Sequence, residues 1–343
     1  MNTPFPLDSS RELFLNALPE GQAQADEQAP ELRRFYVPST HTRALNPNNI
    51  MLVSGIRGSG KSVWWAALQD ERYRQLVADL LPRSELSNIH CRAGFGQTQS
   101  NHYPSKRILK VLLEKYDAQD IWYTIIAFNT LPLNMPNRWA ERIDWVTSEP
   151  ERIERAFIDA DKQLQEQGLK KRILFDALDR AADDWGSLRR LLKGLLQVFL
   201  AFRSFRAIRL KAFVRPDMLE DAEVSAFPDG SKVLSSKVML DWPKTELFNL
   251  LWHHLGNEAS GGQVFRQVCE QHFGQVLKSL LQANDEAVVR LPPSRLEQGY
   301  EGIKQDLIEL GIFRLMRDER INMPDVYRIG YGLGRKGGVK PIR

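Results

Sequence analysis

Residues 50–62 read Ile50-Met51-Leu52-Val53-Ser54-Gly55-Ile56-Arg57-Gly58-Ser59-Gly60-Lys61-Ser62, an apolar run that ends in a glycine-rich turn. Val63-Trp64-Trp65-Ala66-Ala67-Leu68 follows with helical composition. Gly55, Gly60, Lys61 and Ser62 occupy the fixed positions of G-x-x-x-x-G-K-[ST], the phosphate-binding loop pattern. That chemistry needs glycine because the backbone must curl around phosphate oxygens and turn N–H groups toward them, which a Cβ would obstruct. Four fixed positions arise by chance in a chain this long about 1% of the time. The candidate binding residues are Gly55, Ile56, Arg57, Gly58, Ser59, Gly60, Lys61, Ser62 and Val63. Lys61 is expected to reach the β- and γ-phosphates, and Ser62 to offer its hydroxyl to Mg²⁺, with ATP as the nucleotide. Arg57 faces either a neighbouring phosphate or solvent.

Working outward, further strands are expected at Ile89 to Phe95, at 171–176, at Ile208 to Val214 and near Val238 to Leu240. Helical patterns separate them. The stretch 105–147 reads as an inserted helical layer, broken at Leu131-Pro132-Leu133-Asn134-Met135-Pro136-Asn137. In 150–167, Ile153, Phe157, Ala160 and Leu164 share a face, and Gly168 is the expected stop. Asp183 or Asp184 caps a helix that runs to about Arg203, with Leu188, Leu192, Leu195, Phe199 and Phe202 at helical spacing. Strands alternating with helices predict an α/β fold with a parallel sheet. The division expected is an N-terminal docking segment and acidic linker over 1–44, a P-loop core over 45–242, and a helical, winged-helix-like C-terminal unit over 243–343.

A phosphate loop calls for an acid at the end of a second strand, to hold the Mg²⁺ shell. Asp176, after Ile173-Leu174-Phe175, is that residue, so Ser62 and Asp176 are the candidate metal ligands. Asp179 either orients the attacking water or caps a helix. The position directly after Asp176, where an acid usually stands, is Ala177, which predicts slow turnover. The strand from Ile208 ends in Arg215-Pro216, and Arg215 is either a sensor of the γ-phosphate or a surface arginine. Arg209 and Lys211 interrupt the apolar character expected of a central parallel strand. The catalytic candidates are therefore Lys61, Asp176, Asp179 and Arg215.

The succession GIRGSGKS, ILFDALDR, LKAFVRPDM and KVMLDWPKTELFNLLWHHL, over about residues 45–256, resembles the STAND-type P-loop NTPases, relatives of the AAA+ ATPases in the ASCE class. The resemblance implies a third strand inserted between the loop strand and the Asp176 strand, and a cytoplasmic ATPase acting as a switch in bacterial signalling or defence. It also implies that an effector, if there is one, is a partner protein, or that the chain forms a homo-oligomer. Arg180 stands where the family often has an acid.

The remaining signals are weaker. The 343 residues, 43% hydrophobic and 26% charged, suffice for about two domains with real cores. No apolar run approaches the ~20 residues of a membrane span, and the start resembles no signal peptide. Cys91 and Cys269 are too few for a disulfide framework, and His253-His254 lacks a ligand partner at zinc spacing. Gly94-Phe95-Gly96 lacks the third glycine of a dinucleotide site. The net charge of +4 arises from 47 bases against 43 acids, but Tyr327 to Arg343 carries Arg328, Arg335, Lys336, Lys340 and Arg343 with no acid. That strip supports an alternative, a DNA-associated AAA+-type ATPase. A small-molecule kinase would need an acceptor pocket that no sequence feature identifies. His41 and Arg43 touch adenine or sit in a loop of satisfied polar groups, the latter being favoured. Arg180, Arg189 and Arg190 are arginine-finger candidates or helix surface. Trp64 and Trp65 are expected to pack under the inserted layer.

Overall fold

The computed structural model describes residues 35–46, 50–81 and 86–243, together with Ala29, Pro30, Leu32, Glu246, Leu247, Leu250, His253 and His254. The start of the expected N-terminal docking segment, most of the acidic linker, the winged-helix-like segment and the basic tail lie outside these residues. The described residues divide into two compact units, one holding Ser39–Asp241 and the other the described residues of Pro30–Pro38 and of 242–254. In the second unit the Tyr36 hydroxyl donates to Glu246 Oε2 at 2.5 Å, and its ring lies 5.7 Å from that of His253. Among the described residues, no helix is long and apolar enough to cross a membrane.

The first unit is an α/β sheet flanked by helices. Strands β1 (Leu52–Ser54), β2 (Ile89–Phe95), β3 (Lys170–Phe175), β4 (Ile208–Val214) and β5 (Lys237–Met239) are all parallel, in the order β2-β3-β4-β1-β5. The order is compatible with a P-loop core, since β4 lies between β1 and β3. Ala212 pairs with Leu52 on one side and Phe175 on the other. β1 is buried throughout, as a parallel strand covered on both faces must be.

The long helices are α1 (Lys61–Gln69), α2 (Glu71–Leu80), α3 (Lys106–Lys115), α4 (Ala118–Thr130), α5 (Trp139–Ser148), α6 (Pro150–Glu166) and α7 (Trp185–Ala201). Each follows local chemistry. Asp184 caps α7 by accepting from the Ser187 N–H at 2.8 Å. Gly168, at φ 65°, turns the chain out of α6 while Leu169 donates back to the Leu164 carbonyl at 2.9 Å. Trp122 of α4 meets Phe95 and Phe175 edge-on, and Phe199 of α7 meets Phe175 from beside it. The backbones of α4 and α7 approach so closely that a Cβ on Gly194 would lie 2.7 Å from the Ala118 Cβ. Three short helices, Pro216–Leu219, Ala222–Ser225 and Gly230–Leu234, join β4 to β5 and had no clear periodic signal.

Two features depart from a simple apolar core. Asp161 sits on the buried face of α6, one turn after Phe157, and its carboxylate accepts from the N–H groups of Arg206, Ala207 and Ile208 at 2.7–3.1 Å. This pins the start of β4, satisfying donors that would otherwise be orphaned. The irregular pattern of β4 is the second departure. The strand is central, and Lys211 is nonetheless fully buried, donating to the carbonyls of Ala44 and Asn46. Burial, reinforced by Arg172 on the neighbouring strand, holds the Lys211 pKa well below its usual value. Burial also pushes the Arg172 pKa down to about 10 and that of the Cys91 thiol upward.

Candidate functional site

The loop from Gly55 to Ser62 leaves β1 at its carboxyl end and runs into α1, while Asp176 and Arg215 follow directly on β3 and β4. One edge of the sheet thus collects the predicted residues. The Gly55 N–H extends the ladder to the Val214 carbonyl at 3.2 Å. A Cβ on Gly55 would lie 2.2 Å from Ser59 Oγ and 3.0 Å from Ser59 Cβ, so the tight curl leaves little room for a side chain there. Gly58 and Gly60 adopt φ 84° and 90°, backbone that other residues rarely take. Gly60 precedes α1 without a side-chain cap, which leaves the first N–H groups of a nine-residue helix directed at the loop.

Lys61 Nζ folds over this turn and donates to the carbonyls of Gly55 at 2.7 Å and Ile56 at 2.9 Å. Burial lowers its pKa, Asp176, Asp179 and Asp217 pull it back up, and Arg215 lowers it again. Those five groups therefore share one electrostatic neighbourhood. Asp176 is 2% exposed, and its N–H donates to the Phe95 carbonyl at 3.1 Å, fixing it at the ends of β2 and β3.

Ala177 has φ 53° and ψ 31°, a left-handed conformation unusual for a residue with a Cβ. It sends the chain into a single 3₁₀ turn, Leu178–Arg180, that splits two side chains. Asp179 turns to Arg215, 3.6 Å from its Nη1, and does not cap a helix. Arg180 donates to Gln97 just beyond β2. Arg215 is also held by Asp217 at 2.7 and 3.0 Å, and this contact raises its pKa, with Asp179 adding to it. Asp217 and Gln97 escaped the sequence reading. For Asp217 the signal was its i+2 spacing from Arg215, past Pro216.

His41 is fully buried between Trp64 and the Asp241 carbonyl, the satisfied-loop reading of this residue, while Arg43 is exposed. Trp64 and Trp65 are core residues, but against His41 and the sheet: the Trp65 indole N–H donates to the Leu174 carbonyl at 3.3 Å and its ring fills the space beside Gly96. A Cβ on Gly94 would meet Ile173 and Phe175, so that glycine serves strand packing. Arg189 pairs with Asp221 and Glu223, and Arg190 donates to the Leu113 carbonyl at 3.1 Å. Arg57 is exposed at the loop tip.

The donor set suits a magnesium nucleotide. The glycine-formed cradle and the uncapped helix start suit phosphate oxygens, and Lys61 can exchange two carbonyls for them. No group of three His, Cys, Asp or Glu side chains able to hold a metal by itself occurs among the described residues. A hydroxyl from Ser62 and the carboxylate of Asp176, completed by phosphate oxygens and water, is the kind of set Mg²⁺ takes. The sequence matches no protein-family model and no curated protein.

Proposed function

We propose that this chain is an ATP-binding molecular switch that hydrolyses slowly, or only on assembly with further copies or with a partner effector, in the manner the STAND resemblance implies. The observation that carries the reading is that Asp176, Arg215 and the glycine-formed loop bearing Lys61 follow the carboxyl ends of three adjacent parallel strands, with Arg215 paired to Asp179 and Asp217. Lys61 and the loop N–H groups would hold the triphosphate, Ser62 and Asp176 would hold the metal shell, and Mg²⁺ bound there would supply charge neutralisation to the phosphates. Arg215 answers to the γ-phosphate by leaving Asp179, whose carboxylate then orients water. Ala177, in the place of an acid, keeps turnover low. The DNA-associated alternative rests on the strip at 327–343, outside the described residues.

Binding of Mg·ATP to the full chain tests this. Lys61→Ala should weaken it about 100-fold, or about 2.7 kcal/mol, by removing a charge-assisted contact. Unchanged affinity in that variant would sink the assignment.

A further inference from the structure

The chain returns to the sheet unit at Ser39, after the short stretch Asp26–Ala29, and leaves it at Asp241, so Thr40, His41 and Asp241 all lie within two residues of one of these two crossing points. These three are joined. His41 Nε2 lies 3.1 Å and Thr40 Oγ1 3.2 Å from the same acceptor, the Asp241 carbonyl oxygen. The opposite ring nitrogen of His41, Nδ1, accepts from the Trp64 indole N–H at 2.9 Å. An indole N–H only donates and a carbonyl only accepts, which fixes the tautomer: Nε2 carries the proton and Nδ1 the lone pair.

Trp64 belongs to the first turn of α1, and its backbone N–H closes that turn on the Gly60 carbonyl at 3.0 Å. The exit strand is held at the same loop from its other side. The Leu240 N–H donates to the Ser54 carbonyl at 2.7 Å, and Leu240 Cβ lies 3.4 Å from where a Cβ of Gly55 would be. Hydrogen bonds thus run without a break from the helix that ends the phosphate loop to both crossing points. His41 is fully buried, so a shift of the Trp64 indole cannot be absorbed by water and must move the histidine or break its bonds.

We infer that His41 is a positioning residue that transmits occupancy of the phosphate loop to the two segments leaving the sheet unit, residues 30–38 and those from Trp242 on. The inference rests on the nucleotide reading above. When phosphate takes Lys61 and the loop N–H groups, α1 adjusts at its first turn, Trp64 moves with it, and the His41–Asp241–Thr40 junction carries that movement to both connections.

Amide hydrogen exchange on the full chain, with and without Mg·ATP, tests this. In the natural protein, nucleotide should change exchange at least about fivefold in peptides covering 30–38 and 242–254. Trp64→Phe deletes the indole donor together with part of a buried ring, and should abolish that change while leaving the ATP dissociation constant within about threefold. Thr40→Val removes an exposed donor at no risk to folding and should reduce the change. A merely structural role would raise exchange in the free and bound states alike and preserve the difference. A preserved difference in both variants overturns the inference, as does a natural protein that binds ATP with no change beyond Asp241. A natural protein that binds no ATP at all overturns the nucleotide reading itself, and this inference with it.

Discussion

Two lysines of the sheet unit make the same contacts in opposite surroundings. Lys61 and Lys211 each donate to a pair of backbone carbonyls, Gly55 and Ile56 for one, Ala44 and Asn46 for the other, and burial lowers the pKa of both. Around Lys61 stand three carboxylates, at the open end of the strands. Around Lys211 stand Arg172 and a thiol, inside the sheet, and nothing there offsets its charge among the causes that set its pKa except weakly Cys91. The first lysine stands among carboxylates and can trade its carbonyls for an anion. The second is a clamp on the segment before β1. A cation at a site and a cation in a core are thus told apart by what surrounds them, not by burial or by the acceptors they touch.

The largest expected effect breaks or upholds this contrast directly. Lys211→Ala removes a buried stem and leaves two carbonyls without their donor, so it should cost about 2–5 kcal/mol of stability in urea denaturation. Lys61→Ala should cost less than about 1 kcal/mol, although it is expected to weaken nucleotide binding about 100-fold. Equal losses would erase the distinction.

Lys211→Met sharpens it through pH. The folded pKa of Lys211 is depressed, so between it and 10.5 the unfolded chain takes up a proton that the folded chain refuses. Stability therefore rises as pH rises through that window and is lost as pH falls through it. Lys211→Met should lack this limb. Tyr123, whose pKa burial pushes up to about 12, acts in the opposite sense above pH 10 in both proteins, so the difference between their stability curves isolates Lys211. Identical slopes would show that the lysine is neither buried nor depressed as described.

Glycines repeat the contrast at smaller scale. Gly194→Ala drives a Cβ to within 2.8 Å of the α4 backbone and should cost about 1–3 kcal/mol by overpacking, without affecting ATP affinity. A Cβ on Gly60 would meet nothing within 4 Å, so Gly60→Ala should cost only the backbone strain of φ 90°, about 1–2 kcal/mol, yet weaken ATP binding at least tenfold. An unaffected affinity in Gly60→Ala would mean that the loop tolerates a different path around its ligand.

How far these features can be read in the sequence follows the same division. The strands at 89–95 and 208–214, the end of α6 at Gly168 and the cap at Asp184 rest on local chemistry, and each was legible to within a residue or two. The turn from Gly55 to Ser62 was legible because Gly58 and Gly60 hold backbone that other residues rarely take. Lys211 was not, because its acceptors at 44 and 46 lie more than 160 positions away in the chain, and nothing local marks a lysine as buried. Asp161 left a clue, an acid inside the apolar stripe of α6, but its partners at 206–208 are supplied by the fold alone. His41 likewise looks like a loop histidine until Trp64 and Asp241 are brought to it.

The smallest effect tests whether the turn after Asp176 belongs with the site or with the core. Ala177 holds φ 53°. A left-handed conformation costs a residue with a Cβ about 1–2 kcal/mol, and glycine there would remove the strain while adding about 0.4–1 kcal/mol of unfolded-state entropy. Ala177→Gly should therefore stabilise the protein by about 0.5 kcal/mol. Freed of its Cβ, the turn should also hold Asp179 less firmly against Arg215, so ATP hydrolysis should fall while binding stays constant. A variant that gains stability and loses turnover identifies the strain as the means by which the chain, lacking an acid at 177, presents Asp179 two residues later. A variant that loses stability instead makes Ala177 a packing residue, 7% exposed as it is, and removes the reason to assign Asp179 the water.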